Sequence, residues 1–98
     1  MKVDILRDEE KKTVKVSGRL DTITAPELEE SLKGLYEDTK HLILDFSELD
    51  YISSAGLRVL LGAQKVMNKQ GTMTVTNVIP AVMEVFEITG FSDILDIE

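Results

Sequence analysis

Polar and apolar residues alternate in two short runs near the start of the chain, "VDIL" and "TVKVSG", with the charged "RDEEKK" between them. Alternation at a period of two marks a half-buried strand. The pair therefore predicts a β-hairpin with Val14 and Val16 on one face and Lys15 and Ser17 on the other. Gly18 and Asp21 mark the next turn. The period then changes. In "TAPELEESLKGLYED", Leu28, Leu32 and Leu35 recur at helical spacing, Pro26 suits a first turn, and Thr24 and Glu27 are spaced as a capping box.

The nearly continuous apolar run "HLILDF" reads as a central strand covered on both faces. "SAGLRVLLGAQKVMNKQG" puts Leu57, Leu60, Leu61 and Met67 on one broad helical face, with Gly71 as a left-handed stop. "TMTVTNV" is a further strand, "PAVMEVFEITG" a helix ending at Gly90, and "FSDILDI" a short closing strand or turn. The order β-β-α-β-α-β-α-β predicts an α/β fold with a mixed, largely parallel sheet and right-handed crossovers. Ninety-eight residues suffice for one core, so residues 1–98 are expected to form a single domain.

The junction "DYISSAGLRVLL" stands out in that frame. Ser53 and Ser54 fall beyond the carboxyl end of a strand, where functional residues of parallel sheets gather. Ser54 has more than one reading. It can cap the helix, accepting from a first-turn amide. It can also accept a phosphate, because a helix N-terminus offers free N–H groups and the positive end of a dipole.

Composition removes other chemistries. The chain has no cysteine, so disulfides, thiol catalysis and thiolate metal sites are excluded. The 18 acidic residues outnumber the 11 lysines and arginines, for a net charge of -7. Such a chain repels nucleic acid and anionic membranes on average, and no basic cluster offsets this. No apolar run resembles a signal peptide or the roughly 18 residues of a spanning helix, so a soluble cytoplasmic protein is expected, without membrane insertion. A serine hydrolase needs a base beside its hydroxyl. The one histidine, His41, begins the strand that precedes Ser54, and five strand steps separate the two by roughly 16 Å. No metal-ligand spacing or phosphate-binding glycine motif occurs, so no cofactor is expected.

"YISSAGLRVLL" resembles the signature of STAS-domain anti-sigma-factor antagonists, commonly D-S-[ST]-G-L at this place. Aligned on Gly56 and Leu57, the family's phosphorylated serine falls on Ser54. "GRLDTITAPELEESL" matches its G-x-[LI]-D and first helix, "HLILDFSELDYI" its central strand, and "GTMTVTNVIPAVMEVFEITGF" its last strand and helix. The family usually has Asp before the serine. This chain has Ser53 there, which makes Ser53 the second candidate acceptor.

The resemblance implies a STAS-type fold and a partner-switching cycle. The unmodified protein binds an anti-sigma factor with Ser/Thr kinase activity, and a sigma factor is freed. That kinase phosphorylates the serine, and a PP2C-type phosphatase restores it. ATP and metal then belong to the partners. The implied docking surface comprises Asp21, Thr22, Ser53, Ser54, Gly56, Leu57 and Arg58. Bland readings stand beside these: turn formation for Asp21 and Thr22, packing for Gly56 and Leu57, and a solvated side chain for Arg58. The alternatives are a STAS module of another assembly, such as a stressosome or lipid-transport complex, and more remotely the small hydrolase.

Overall fold

The hairpin forms as its alternation requires. In the computed structural model, which describes residues 1–98, β1 (Lys2–Asp8) pairs antiparallel with β2 (Lys11–Leu20). β3 (His41–Ile52), β4 (Thr72–Thr76) and β5 (Asp96–Ile97) then add in parallel, giving the spatial order β1-β2-β3-β4-β5. The crossovers contain α1 (Ala25–Lys33), α2 (Ser54–Gln70) and α3 (Pro80–Thr89). The expected α/β fold and element order are those observed.

Register explains the core. Val14, Leu44 and Val75 are neighbours across three strands, and all three are fully buried. Leu42 and Met73 form a second row beside them. Their sheet face meets Leu28 and Leu32 of α1, Leu60 and Met67 of α2, and Phe86 of α3 in one continuous cluster. Removing such a side chain from water contributes about 1.5–3 kcal/mol. On the other sheet face, Thr13, Ile43 and Thr74 are only half-buried. β3 is thus covered on one face and not on two. The run "HLILDF" misled because Ile43 lies among buried leucines while facing the open side.

β3 also runs six residues beyond Phe46. Its pairing with β2 slips twice, between Lys15 and Ser17 and between Gly18 and Arg19, and each slip gives β3 one extra residue. Burial consequently steps by three from Phe46 to Leu49 to Ile52. That spacing hides a strand from a period-two reading. Gly18, expected in a turn, lies within β2 at the second slip with φ of 93°, a conformation that favours glycine. Bulges bend a strand and re-aim the residues beyond the bend. Here they lie just before the residues that deliver Ser53 and Ser54.

Two helix ends differ from expectation. α1 stops at Lys33, and Tyr36–Asp38 forms a separate 3-10 turn. Gly71 ends α2 in an extended conformation, with φ of 174°, not a left-handed one. Glycine is required there for space, since a Cβ would overlap the Lys40 carbonyl oxygen. Gly90 does end α3 left-handed, at φ of 83°.

Candidate functional site

The site is assembled where β2 and β3 end. The Ser53 N–H donates to the Leu20 carbonyl at 2.9 Å, which ties the start of α2 to the turn leaving β2. Asp21 organises that turn. Its Oδ1 accepts from the backbone amides of Ile23 and Thr24, both at 3.0 Å, and the Ala25 amide donates to its carbonyl at 2.8 Å. Asp21 thus closes the turn that leads into α1, and no side chain caps the helix itself. The Thr24 hydroxyl accepts from the Asp21 amide at 2.9 Å and donates to the Arg19 carbonyl at 2.8 Å. Thr24 has helical backbone angles and makes no side-chain cap bond, so its capping box with Glu27 does not form. The hydrogen bond from the Thr24 amide is the main reason the Asp21 carboxyl lies below its ordinary pKa of 3.8, with Ile23 and Arg19 helping.

The two serines divide their roles. Ser53 has extended backbone angles and is the N-cap of α2, its Oγ accepting from the Gly56 amide at 3.5 Å. Ser54, the alternative cap in the sequence, is the first residue of the helix. It is exposed, and its hydroxyl has no hydrogen-bond partner within the chain. Because Ser53 occupies the cap, the Ser54 oxygen is left over. The first turn of α2 has no acidic residue, so the helix itself offers an added anion no like charge.

The other expected residues sort by depth. Thr22 and Arg58 are exposed and line one shallow depression of about 340 Å³ between α1 and α2. Gly56 and Leu57 lie beneath the surface: Leu57 is 7% exposed, and a Cβ on Gly56 would come within 2.8 Å of both Leu20 and Ile52. Gly56 permits close packing inside the chain, and Leu57 anchors α2 to the core. They set the height of Ser54 without offering surface of their own.

Three further residues at this end of the sheet were not singled out in the sequence. Ile23 is 84% exposed and Tyr51 41% exposed. The Arg19 guanidinium stacks over the Tyr51 ring at 4.1 Å and approaches Asp21 at 3.8 Å. An isoleucine in a turn, outside every strand and helix period, was the readable signal for Ile23. Tyr51 was hidden by the bulges. Ile23 and Tyr51 add exposed apolar surface at the end of the sheet where the serines lie, a surface suited to another protein.

Enzymatic use of Ser54 fails on distance. β3 is longer than its apolar run, which puts His41 on the order of 30 Å from Ser54 at the opposite end of the strand. There His41 Nδ1 is hydrogen-bonded with Thr72 Oγ1 at 2.9 Å. No helix is long and apolar enough to cross a membrane.

Known proteins share this architecture. The chain is 34% identical over 96 residues to an anti-sigma-B factor antagonist of Bacillus subtilis, covering 97% of this chain and 88% of that one. A solved anti-sigma factor antagonist from Mycobacterium paratuberculosis superposes with a TM-score of 0.89 at 25% identity, over 98% of this chain and 83% of the other. SpoIIAA from Bacillus in its phosphorylated form shares the fold with a TM-score of 0.78 at 17% identity, over 99% and 91% of the two chains. The STAS domain family matches residues 2–98. With that match added to the mixed sheet and the serine beyond the carboxyl end of β3, the chain belongs to the STAS domain family.

Proposed function

We propose that this chain is an anti-sigma-factor antagonist, switched by phosphorylation at Ser54. Unmodified, it binds an anti-sigma factor that has Ser/Thr kinase activity, and the bound sigma factor is released. The kinase then moves the γ-phosphoryl group of ATP to Ser54 Oγ. The hydroxyl proton is lost, ADP remains, and the antagonist dissociates. A PP2C-type phosphatase hydrolyses the ester, regenerating the hydroxyl and inorganic phosphate.

The observation that carries this reading is the division between the serines. Ser53 holds the helix, and Ser54 presents a free oxygen at the end of the sheet where Ile23 and Tyr51 are exposed. A phosphate adds about -1.5 to -2 charges, which the start of a helix accommodates. The fold survives, while a partner packed over that surface meets a new dianion. A discrimination of about 100-fold requires only about 2.7 kcal/mol of lost binding energy. Asp21, Thr22, Ile23 and Arg58 complete the contact surface, with Gly56 and Leu57 supporting it. The name of the Bacillus subtilis relative and the phosphorylated form of SpoIIAA point the same way.

The test is incubation with the kinase and ATP, followed by intact-mass measurement of wild type, Ser54→Ala and Ser53→Ala. One phosphate is expected on wild type and Ser53→Ala, and none on Ser54→Ala. Phosphate retained by Ser54→Ala and lost from Ser53→Ala would move the switch to Ser53.

A further inference from the structure

Ser54, Arg58, Gly62, Lys65 and Lys69 succeed one another along α2 at intervals of three and four, so they share one face of the helix, and all five are exposed. The face is cationic. α2 contains three basic residues and no acidic one, within a chain of net charge -7. None of the three is in an ion pair. The four pairs are Lys2 with Asp4, Lys15 with Glu48, Arg19 with Asp21, and Lys33 with Glu29. Glu29, the carboxylate bordering this face from α1, is offset by Lys33, 4.0 Å away and bordering the face as well.

Gly62 interrupts the face at its centre. Glycine inside a helix is less stable than alanine, and such a glycine usually reflects close packing. Gly56 has that reason and Gly62 does not. A Cβ on Gly62 would meet no atom of the chain within 4 Å. Beside it lies a depression of about 130 Å³ bordered by Glu29 and Lys33 of α1 and by Tyr36, Val59, Ala63 and Val66. The missing side chain leaves room for something outside this chain.

We infer that an acidic helix of the anti-sigma partner lies along this face and crosses α2 at Gly62, an inference that rests on the function proposed above. The charge requires carboxylates, and the glycine requires a close backbone. Crossing helices approach to about 8–10 Å depending on the side chains at the contact, and glycine permits the near limit. A flexible acidic tail would use the cations but has no need of the glycine. From Ser54 to Lys69 the face is about 22 Å long, enough for four turns of a partner helix. Ser54 lies at one end of it, one turn from Arg58. A phosphate there would take Arg58 as an internal partner and repel the carboxylates, so modification at one end weakens contact along the helix.

The test is titration of the purified anti-sigma factors encoded in the same genome with wild type and four variants. Gly62→Ala is expected to raise the thermal midpoint by roughly 4 °C. It should also weaken binding about tenfold or more, through loss of close approach. Lys65→Glu with Lys69→Glu is expected to weaken binding about tenfold, while Lys65→Arg with Lys69→Arg keeps wild-type affinity. Ser54→Asp checks the underlying reading. If Gly62→Ala is stabilised and binds like wild type while Ser54→Asp loses binding, the α2 face is not the contact and the proposed function stands. If wild type binds none of the anti-sigma factors, both fall.

Discussion

The two ends of the sheet differ in what they leave for a partner. At the N-terminal ends of β3 and β4, the polar groups that are wholly or partly buried are used inside the chain. The Lys12 ammonium donates to the carbonyls of Glu9 and Asp38, and the Gln70 amide to those of Tyr36 and Thr39. The buried Thr39 hydroxyl donates to the Leu35 carbonyl, and Thr72 N–H to the Lys40 carbonyl at 2.8 Å. At the carboxyl ends, Ser54 has no partner, and Ile23 and Tyr51 face solvent. Buried polar groups are costly unless paired, so the first end is built for stability. Unused groups at the second end are tolerated only because water reaches them, and that same access lets a partner reach them.

The largest expected effect tests the closed end. Gly71→Ala drives a methyl group into the Lys40 carbonyl oxygen, and urea unfolding should show a loss of about 3 kcal/mol. A loss under about 0.5 kcal/mol would mean that this end can move, and the contrast would weaken. Gly56→Ala comes next. It presses on Leu20 and Ile52 from beneath the serines and should cost about 1–3 kcal/mol. Because it lifts the start of α2, it should also reduce phosphorylation of the folded protein.

The adjacent serines sharpen the comparison within a single peptide bond. Ser53→Ala removes a cap and should cost about 0.5–1 kcal/mol, whereas Ser54→Ala should change stability by less than about 0.5 kcal/mol. Equal losses from the two would show that Ser54 is structural. The smallest effect concerns acid. The folded-state pKa of Asp21 is lowered, chiefly by the Thr24 amide. Its contribution is therefore complete above its ordinary pKa of 3.8 and fades as pH falls through the lowered value. The stability difference between wild type and Asp21→Ala should be constant from pH 7 to pH 5 and shrink below about pH 4. A gap that persists unchanged at pH 2 would remove the carboxylate from the account.

Sequence periodicity revealed most of this fold because the helices and the first hairpin keep regular periods. Leu28, Leu32, Leu60 and Met67 are buried as their spacing requires. What it missed has physical causes. The bulges in β3 change the burial step from two to three, which concealed the strand's far half and with it Tyr51. The Thr24 hydroxyl is turned back to Arg19 and Asp21 by the way β2 ends, a tertiary fact that Thr24-x-x-Glu27 does not contain. Likewise, Ser53 and Ser54 differ by one residue in the helix start, and backbone angles alone decide which oxygen is used. Ser54 was found from the motif; its free hydroxyl became visible only in three dimensions.

One measurement bears most directly on the claim that Ser54 can carry a dianion at no cost to its scaffold. The protein should be prepared with phosphoserine at position 54 and compared with the unmodified form for thermal unfolding and for titration against the anti-sigma factor. An affinity about 100-fold weaker, with midpoints within about 2 °C of each other, is the predicted result. Equal affinities, or a phosphorylated form that unfolds many degrees lower, would contradict it.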